Sequence, residues 1–211
     1  MEEPRPDEHP QRRREYSGTA GTLGLAALVV AVVGAGIWYF EIRGHGGSAQ
    51  SDPEFGIIEL DPSDNPTAKA PAAKVGRVAP SFRLRDIDGS TTTLVDLRGQ
   101  YVLLNFWASW CGPCRAETPD LQAFSERLGS KMIIVGVNQQ ESRAAASEFV
   151  AQFDVTYPIV LDSDGEVSNA YRVTTGLPIS FVIDAEGVIQ KVLIGRVSEE
   201  DLNEIAAEFL S

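Results

Sequence analysis

Cysteine and histidine are nearly absent from this sequence. Its 211 residues include two of each, and both histidines, His9 and His45, precede the change of composition near residue 75. The two cysteines, Cys111 and Cys114, leave no framework of structural disulfides. A closed structural zinc site wants four ligands, and with no third cysteine the chain has too few of them here. Positive charge is also scarce. Lys and Arg number 18 against 30 Asp and Glu, for a net charge of -12. Nucleic-acid binding calls for a clustered basic face, so no nucleic-acid partner is expected. Internal repeats are absent too. Hydrophobic content of 43% is ordinary for a globular protein, and the length suits one or two domains.

What the chain does possess near its start is one long apolar run. From Tyr16 to Phe40 no side chain is charged, and about 20 such residues span a bilayer. Arg5, Arg12, Arg13 and Arg14 precede the run and only Arg43 closely follows it, which places the N-terminus in the cytoplasm. Tyr16 at one end and Trp38-Tyr39 at the other suit the two interfaces. A cleaved signal peptide has a shorter apolar core of about 7 to 15 residues and a small-residue cleavage site, for which Gly47-Ser48-Ala49 is a weak candidate. Residues 1–15 therefore read as a cytoplasmic tail, 16–40 as a transmembrane anchor and 41–74 as a flexible linker rich in Gly, Ser, Asp, Pro and Ala. The patch Phe55-Gly56-Ile57-Ile58 interrupts that linker. A packed domain is expected over 75–211, on the extracytoplasmic side of the membrane.

Both cysteines lie between an apolar strand, Tyr101 to Trp107, and a segment of helix-forming composition that begins at Arg115. Three residues advance a helix by roughly 4.5 Å, so the two thiols fall on one face within reach of a reversible bridge. The first turn offers unpaired N–H groups and the positive end of the helix dipole, which favours a thiolate on Cys111. Cys111 is the candidate nucleophile and Cys114 the candidate resolving thiol of a two-step exchange. Pro113 has no N–H, which the first turn does not require, and Gly112 leaves the backbone open to a partner. A purely structural staple is the competing reading, but a bridge closing so short a loop stabilises little. Glu117 follows Cys114 by three residues on the adjacent helical face. Either it accepts the Cys114 proton, with burial raising its pKa, or it is an exposed acid stabilised by the helix dipole.

Strands and helices alternate along the rest of the domain. Strands are expected from Phe82, over Thr91 to Leu94 after an Asp88-Gly89 turn, and over 101–107, 132–137, 157–161, 179–183 and 188–194. Helices are expected over 111–128, kinked at Pro119, and over 142–153, 165–171 and 199–210. That order predicts an α/β fold with a mixed sheet covered by helices. Pro178, at the start of an apolar strand, has either a cis bond or a trans bond at the strand's first residue.

Trp110-Cys111-Gly112-Pro113-Cys114, with Pro119 beyond it, and Gly176-Leu177-Pro178-Ile179-Ser180-Phe181-Val182-Ile183-Asp184 resemble the thioredoxin fold. Val78-Ala79-Pro80-Ser81-Phe82, the lead-in Asn105-Phe106-Trp107-Ala108-Ser109 and the extra strand-helix unit between about 138 and 165 resemble its TlpA/ResA branch, which is related to the AhpC/TSA redoxins. These are membrane-anchored thiol-disulfide oxidoreductases. The resemblance covers about 75–211. It implies a cis bond at Pro178 and a substrate surface formed by Trp110, Gly112, Pro113, Leu177 and Pro178. It also matches Glu117 to the branch's glutamate near the second cysteine. Many thioredoxins carry an aspartate where this chain has Asn105, and asparagine cannot shuttle a proton.

The implied activity is reduction of disulfides in exported proteins. The implied substrate is the oxidised haem site of apocytochrome c during cytochrome c maturation, and the implied electron donor is an integral-membrane dithiol protein. No metal and no organic cofactor are expected, the redox group being the Cys111–Cys114 disulfide itself. An oxidant or isomerase of secreted proteins, or a non-enzymatic metal-delivery module, is the alternative. The missing histidine argues against the module, since copper carriers of related fold add a histidine to their cysteines.

Overall fold

The computed structural model describes residues 28, 30–33 and 55–210. The chain divides into two units, 1–49 and 50–211. In the first, residues 28 and 30–33 are helical, with Leu28, Val30, Val32 and Val33 exposed. The rest of the expected anchor over 16–40, the tail over 1–15 and residues 41–54 lie outside the described residues. Among the described residues, no helix is long and apolar enough to cross a membrane.

In the second unit, β4 (Tyr101–Trp107) is the strand around which the others are placed. It pairs in parallel with β5 (Met132–Gln139) and antiparallel with β7 (Ile179–Ile183). Beyond β5 lies β6 (Ile159–Asp162), also parallel, and beyond β7 lies the antiparallel β8 (Ile189–Ile194). Parallel neighbours need crossovers, which α1 (Gly112–Leu128) and α2 (Arg143–Gln152) supply. The short α3 (Glu166–Ala170) follows β6, and α4 (Glu199–Phe209) closes the chain behind a capping box formed by Ser198 and Asp201. The helix over 112–128 runs on through Pro119.

Every residue of β4 after Tyr101 is buried, and its alternation sorts two cores. Val102, Leu104 and Phe106 join Phe82, Val137, Tyr171 and Phe181 on one face. Leu103 and Trp107 join Leu121 and Phe124 of α1, Phe149 of α2 and Leu202 and Ile205 of α4 on the other. Asn105 therefore points with Leu103 and Trp107 toward the helix that carries the cysteines.

The expected hairpin forms, but β3 stops early. β2 (Phe82–Asp86) pairs with β3 (Thr91–Thr93), and Leu94 opens a 3-10 turn that runs to Leu97. A larger difference concerns the linker over 41–74. Its second half docks on the domain, and Gly56–Ile57 within it joins the sheet. β1 (Gly56–Ile57) pairs antiparallel with β2, Ile58 N donates to Ser81 O at 3.0 Å, and Ala72 N donates to Val78 O at 2.9 Å. The guanidinium of Arg85 lies 4.2 Å from the centre of the Phe55 ring. The physical reason is the open edge of β2, whose backbone groups need partners that a two-residue strand can supply. Composition marked this segment as polar and turn-rich, and the patch 55–58 was the part that docks.

Candidate active site

β4 ends at Trp107, and Ala108-Ser109-Trp110 lead out of the sheet to Cys111, the N-cap of α1. Cys111 N donates to Ala108 O at 3.1 Å, which tightens this turn, and Cys111 Sγ accepts from Cys114 N at 3.2 Å. Cys111 and Cys114 are joined in a disulfide with their Cα atoms 5.3 Å apart. The bridge thus sits at the positive end of the helix dipole. Trp110 is 71% exposed, and Gly112 and Pro113 are exposed beside it. Both cysteines are buried in the disulfide, Cys111 retaining 4% of its surface and Cys114 1%.

The Leu177–Pro178 peptide is cis. Pro178 is buried, and its neighbour Ile179 pairs with Phe106, so the register brings Pro178 to the end of β4 from which the cysteine turn departs. Leu177 packs against the apolar cluster that contains both cysteines. Trp110, Gly112, Pro113, Leu177 and Pro178 therefore share one end of the sheet.

Glu117 is buried, with 1% of its surface exposed. Asn105 Nδ2 donates to its Oε1 at 2.8 Å, and Val197 N donates to its Oε2 at 2.8 Å. Burial pushes the carboxyl from its ordinary value of 4.5 up to about 7, against the lowering pull of both hydrogen bonds and of the Arg196 guanidinium. Tyr157 lies close enough to feel this carboxylate. Its hydroxyl is raised first by burial and then by the Glu117 charge. The reading of Glu117 as an exposed surface acid is therefore set aside. A carboxyl raised to about 7, one helical turn past Cys114, is suited to exchange a proton there.

Two sets of partners escaped the reading of the sequence. Asn105 Nδ2 also donates to Ser180 Oγ at 2.9 Å, its direct cross-strand partner in the β4–β7 ladder. The signal was present, since each is a polar residue inside an otherwise apolar strand. Glu141 is the other. Its carboxylate accepts from Ser109 N at 2.7 Å, Ser109 Oγ at 2.5 Å and Asn138 Nδ2 at 2.7 Å, bracing the turn that presents Trp110 and Cys111. No local pattern links Glu141 to residue 109.

Comparison with known proteins agrees with this geometry. Residues 75–192 match the model of the AhpC/TSA family. The thiol-disulfide oxidoreductase ResA of Geobacillus thermodenitrificans strain NG80-2 is 38% identical over 136 residues, covering 63% of this chain and 76% of that protein. ResA of Bacillus subtilis strain 168 is 39% identical over 130 residues, or 61% of this chain and 72% of that one. Among solved structures, a Chlorobium tepidum protein named as a thiol:disulfide interchange protein DsbE superposes with a TM-score of 0.61 at 31% identity. It covers 65% of this chain and 99% of its own. The fold is thioredoxin-like, the enzyme is a thiol-disulfide oxidoreductase, and the chain belongs to the AhpC/TSA family, in its ResA-type thioredoxin-like branch.

Proposed function

We propose that the protein is a membrane-tethered, extracytoplasmic reductant of disulfides in exported proteins, the CxxCH haem site of apocytochrome c among them. In this reading residues 1–15 stay in the cytoplasm, 16–40 anchor the chain, and the folded domain works outside. The arginine block ahead of the uncharged run supports that orientation.

The reduced enzyme attacks through the Cys111 thiolate. One sulfur of the substrate disulfide bonds to Cys111, and the other leaves as a thiolate and takes up a proton. Cys114 then gives its proton to Glu117 and attacks Cys111 Sγ, which reforms the protein disulfide and releases the second substrate sulfur as a thiolate. That thiolate takes up a proton as Glu117 gives up its own. Two electrons pass from protein to substrate. An integral-membrane dithiol protein restores them. Trp110, Gly112, Pro113, Leu177 and Pro178 form the surface on which the substrate segment lies. The observation that carries the exchange chemistry of this reading is the Cys111–Cys114 disulfide at the start of α1, with the buried Glu117 carboxyl one turn further along that helix.

The direction of transfer rests on the Gly112-Pro113 dipeptide, shared with thioredoxin, whose potential is about -270 mV. Equilibration of the full-length chain against a defined dithiol couple should return a potential in that range. A value near about -120 mV would instead make the protein an oxidant of secreted proteins. Orientation is tested by protease added to intact cells stripped of any outer barrier. The domain should be lost from the anchor, and protection of the whole chain overturns the assignment.

A further inference from the structure

We propose that Asn105 is a positioning residue of this site, forming with Ser180 a hydrogen-bond pair that turns over as Glu117 takes up or releases its proton. The proposal rests on the reading of Glu117 as the proton acceptor for Cys114.

Consider first the ionised carboxylate, which can only accept. Its Oε2 is served by Val197 N and its Oε1 by Asn105 Nδ2. The second hydrogen of the same amide goes to Ser180 Oγ. Both N–H bonds of the amide are thereby used. Transfer from Cys114 then converts a thiol and a carboxylate into a thiolate and a carboxylic acid, and the new O–H must itself donate. Val197 N–H is a backbone donor and cannot receive it. Asn105 can, once its side-chain amide rotates by about 180° so that Oδ1 replaces Nδ2. That rotation exchanges two atoms of nearly equal size and needs no backbone movement.

Ser180 completes the exchange because a hydroxyl both accepts and donates. In the ionised state it accepts from Nδ2, and in the neutral state it donates to Oδ1. Within the Asn105–Ser180–Glu117 contact each state thus sets donors against acceptors, and in the neutral state the two amide N–H bonds turn to the side that Oδ1 had held. A leucine at 105 could serve neither state, and an aspartate could not donate to the ionised carboxylate. The cross-strand register of β4 and β7 holds Asn105 and Ser180 opposite each other, and both are buried, so the pair is rigid in position and free only in the sense of its hydrogen bonds.

The ionisable groups around Glu117 act through their charge. Arg196 follows β8 and is paired at 3.1 Å with Asp120, which lies further along α1, and Tyr157 precedes β6. Cys114, on the same helix, joins them when reduced. Among the described residues, the hydrogen bonds to the carboxylate come from Asn105 and Val197.

The test is a pH titration of the full-length chain by NMR, following the Glu117 carboxyl carbon and the Asn105 side-chain N–H₂ signals in oxidised and reduced protein. The Asn105 signals should move with the same midpoint as Glu117. Signals from Asn105 that stay flat while Glu117 titrates overturn the proposal. Asn105→Leu should raise the Glu117 midpoint by about one pH unit or more, through loss of a charge-assisted hydrogen bond. It should shift the pH profile of mixed-disulfide release by the same amount. Ser180→Ala should shift both in the same direction by less, because an orphaned N–H is costlier than an under-used carbonyl oxygen. A role in packing alone would lower stability and leave both midpoints in place, which also overturns the proposal. Glu117→Gln separates the two claims. If that variant keeps the wild-type pH profile and mixed-disulfide lifetime, the proton-acceptor reading fails. If it alters them while the Asn105 signals of the wild type stay flat as Glu117 titrates, only the positioning role fails.

Discussion

Two buried carboxylates, Glu117 one helical turn past Cys114 and Asp162 at the end of β6, differ in the donors that hold them. Burial raises the pKa of both. Asp162 accepts from Val167 N at 3.1 Å, Ser168 N at 2.7 Å and Ser168 Oγ at 2.6 Å, all within six residues, and so fastens α3 to the strand before it. Two of its three donors are backbone. Glu117 has two donors, and one belongs to an amide that can present either its nitrogen or its oxygen. A carboxylate surrounded by fixed donors caps a helix. In the exchange proposed above, one that shares its site with a reversible partner changes protonation state at little cost.

The largest effects should come from the sulfurs that adjoin only one of these carboxylates. Cys111→Ser should abolish disulfide reduction, and Cys114→Ser should accumulate mixed disulfides, scored by non-reducing electrophoresis with a trapped substrate. Asp162→Asn should leave reduction intact at low temperature while costing about 1–3 kcal/mol of stability through mismatched donors, read from chemical denaturation. Loss of turnover in folded Asp162→Asn protein would erase the distinction.

Next in size is the second chemical step. Glu117→Gln keeps the shape and removes the base, so release of the mixed disulfide should slow by about 10²-fold while the first attack by Cys111 changes little. Stopped-flow measurement of the two phases separates them. Equal slowing of both would show that Glu117 acts through the fold.

A smaller effect appears in stability against pH. The Glu117 carboxyl titrates at about 7 when folded and near 4.5 when exposed, so between those values the folded state holds a proton that the unfolded state has lost. Its contribution is complete below pH 4.5 and declines as pH rises through 7. The decline amounts to roughly 3 kcal/mol at 1.36 kcal/mol per pH unit. Oxidised wild type should therefore lose stability to urea between pH 4.5 and 7.5, and Glu117→Gln should flatten most of that slope. Asp162, also raised, accounts for a residual slope of the same sign. An unchanged slope in the variant would mean that Glu117 is ionised throughout.

The smallest effect tests charge at a distance. Arg196 is half exposed and paired with Asp120, so Arg196→Ala should raise the Glu117 midpoint by no more than about half a pH unit, less at high salt. A larger rise would place electrostatic control in the Arg196–Asp120 pair rather than in the direct hydrogen bonds.

Much of this molecule was legible from local pattern. The helix that begins at the cysteines, the buried strand before it and the strand-helix alternation after it all follow from short-range spacing, and the structure reproduces them within a few residues. The docked segment over 55–74 was not legible, because a two-residue strand has no period to detect and its stabilisation comes from the edge of β2.

The same division runs through the site. Cys111, Cys114 and the turn between them are determined by the sequence alone, since three residues of helix bring the sulfurs together whatever the rest of the chain does. The environment of Glu117 is a product of tertiary structure. Asn105 and Val197, which bond its carboxylate, lie 12 and 80 positions away, and Ser180 lies 75 positions from Asn105. Separations of that size carry no local signal, and only the register of β4 with β7 and the return of the chain after β8 bring those groups within 3 Å. Burial of the carboxyl, and with it a pKa of about 7, exists only once the sheet, α1 and the chain beyond β8 have closed around it.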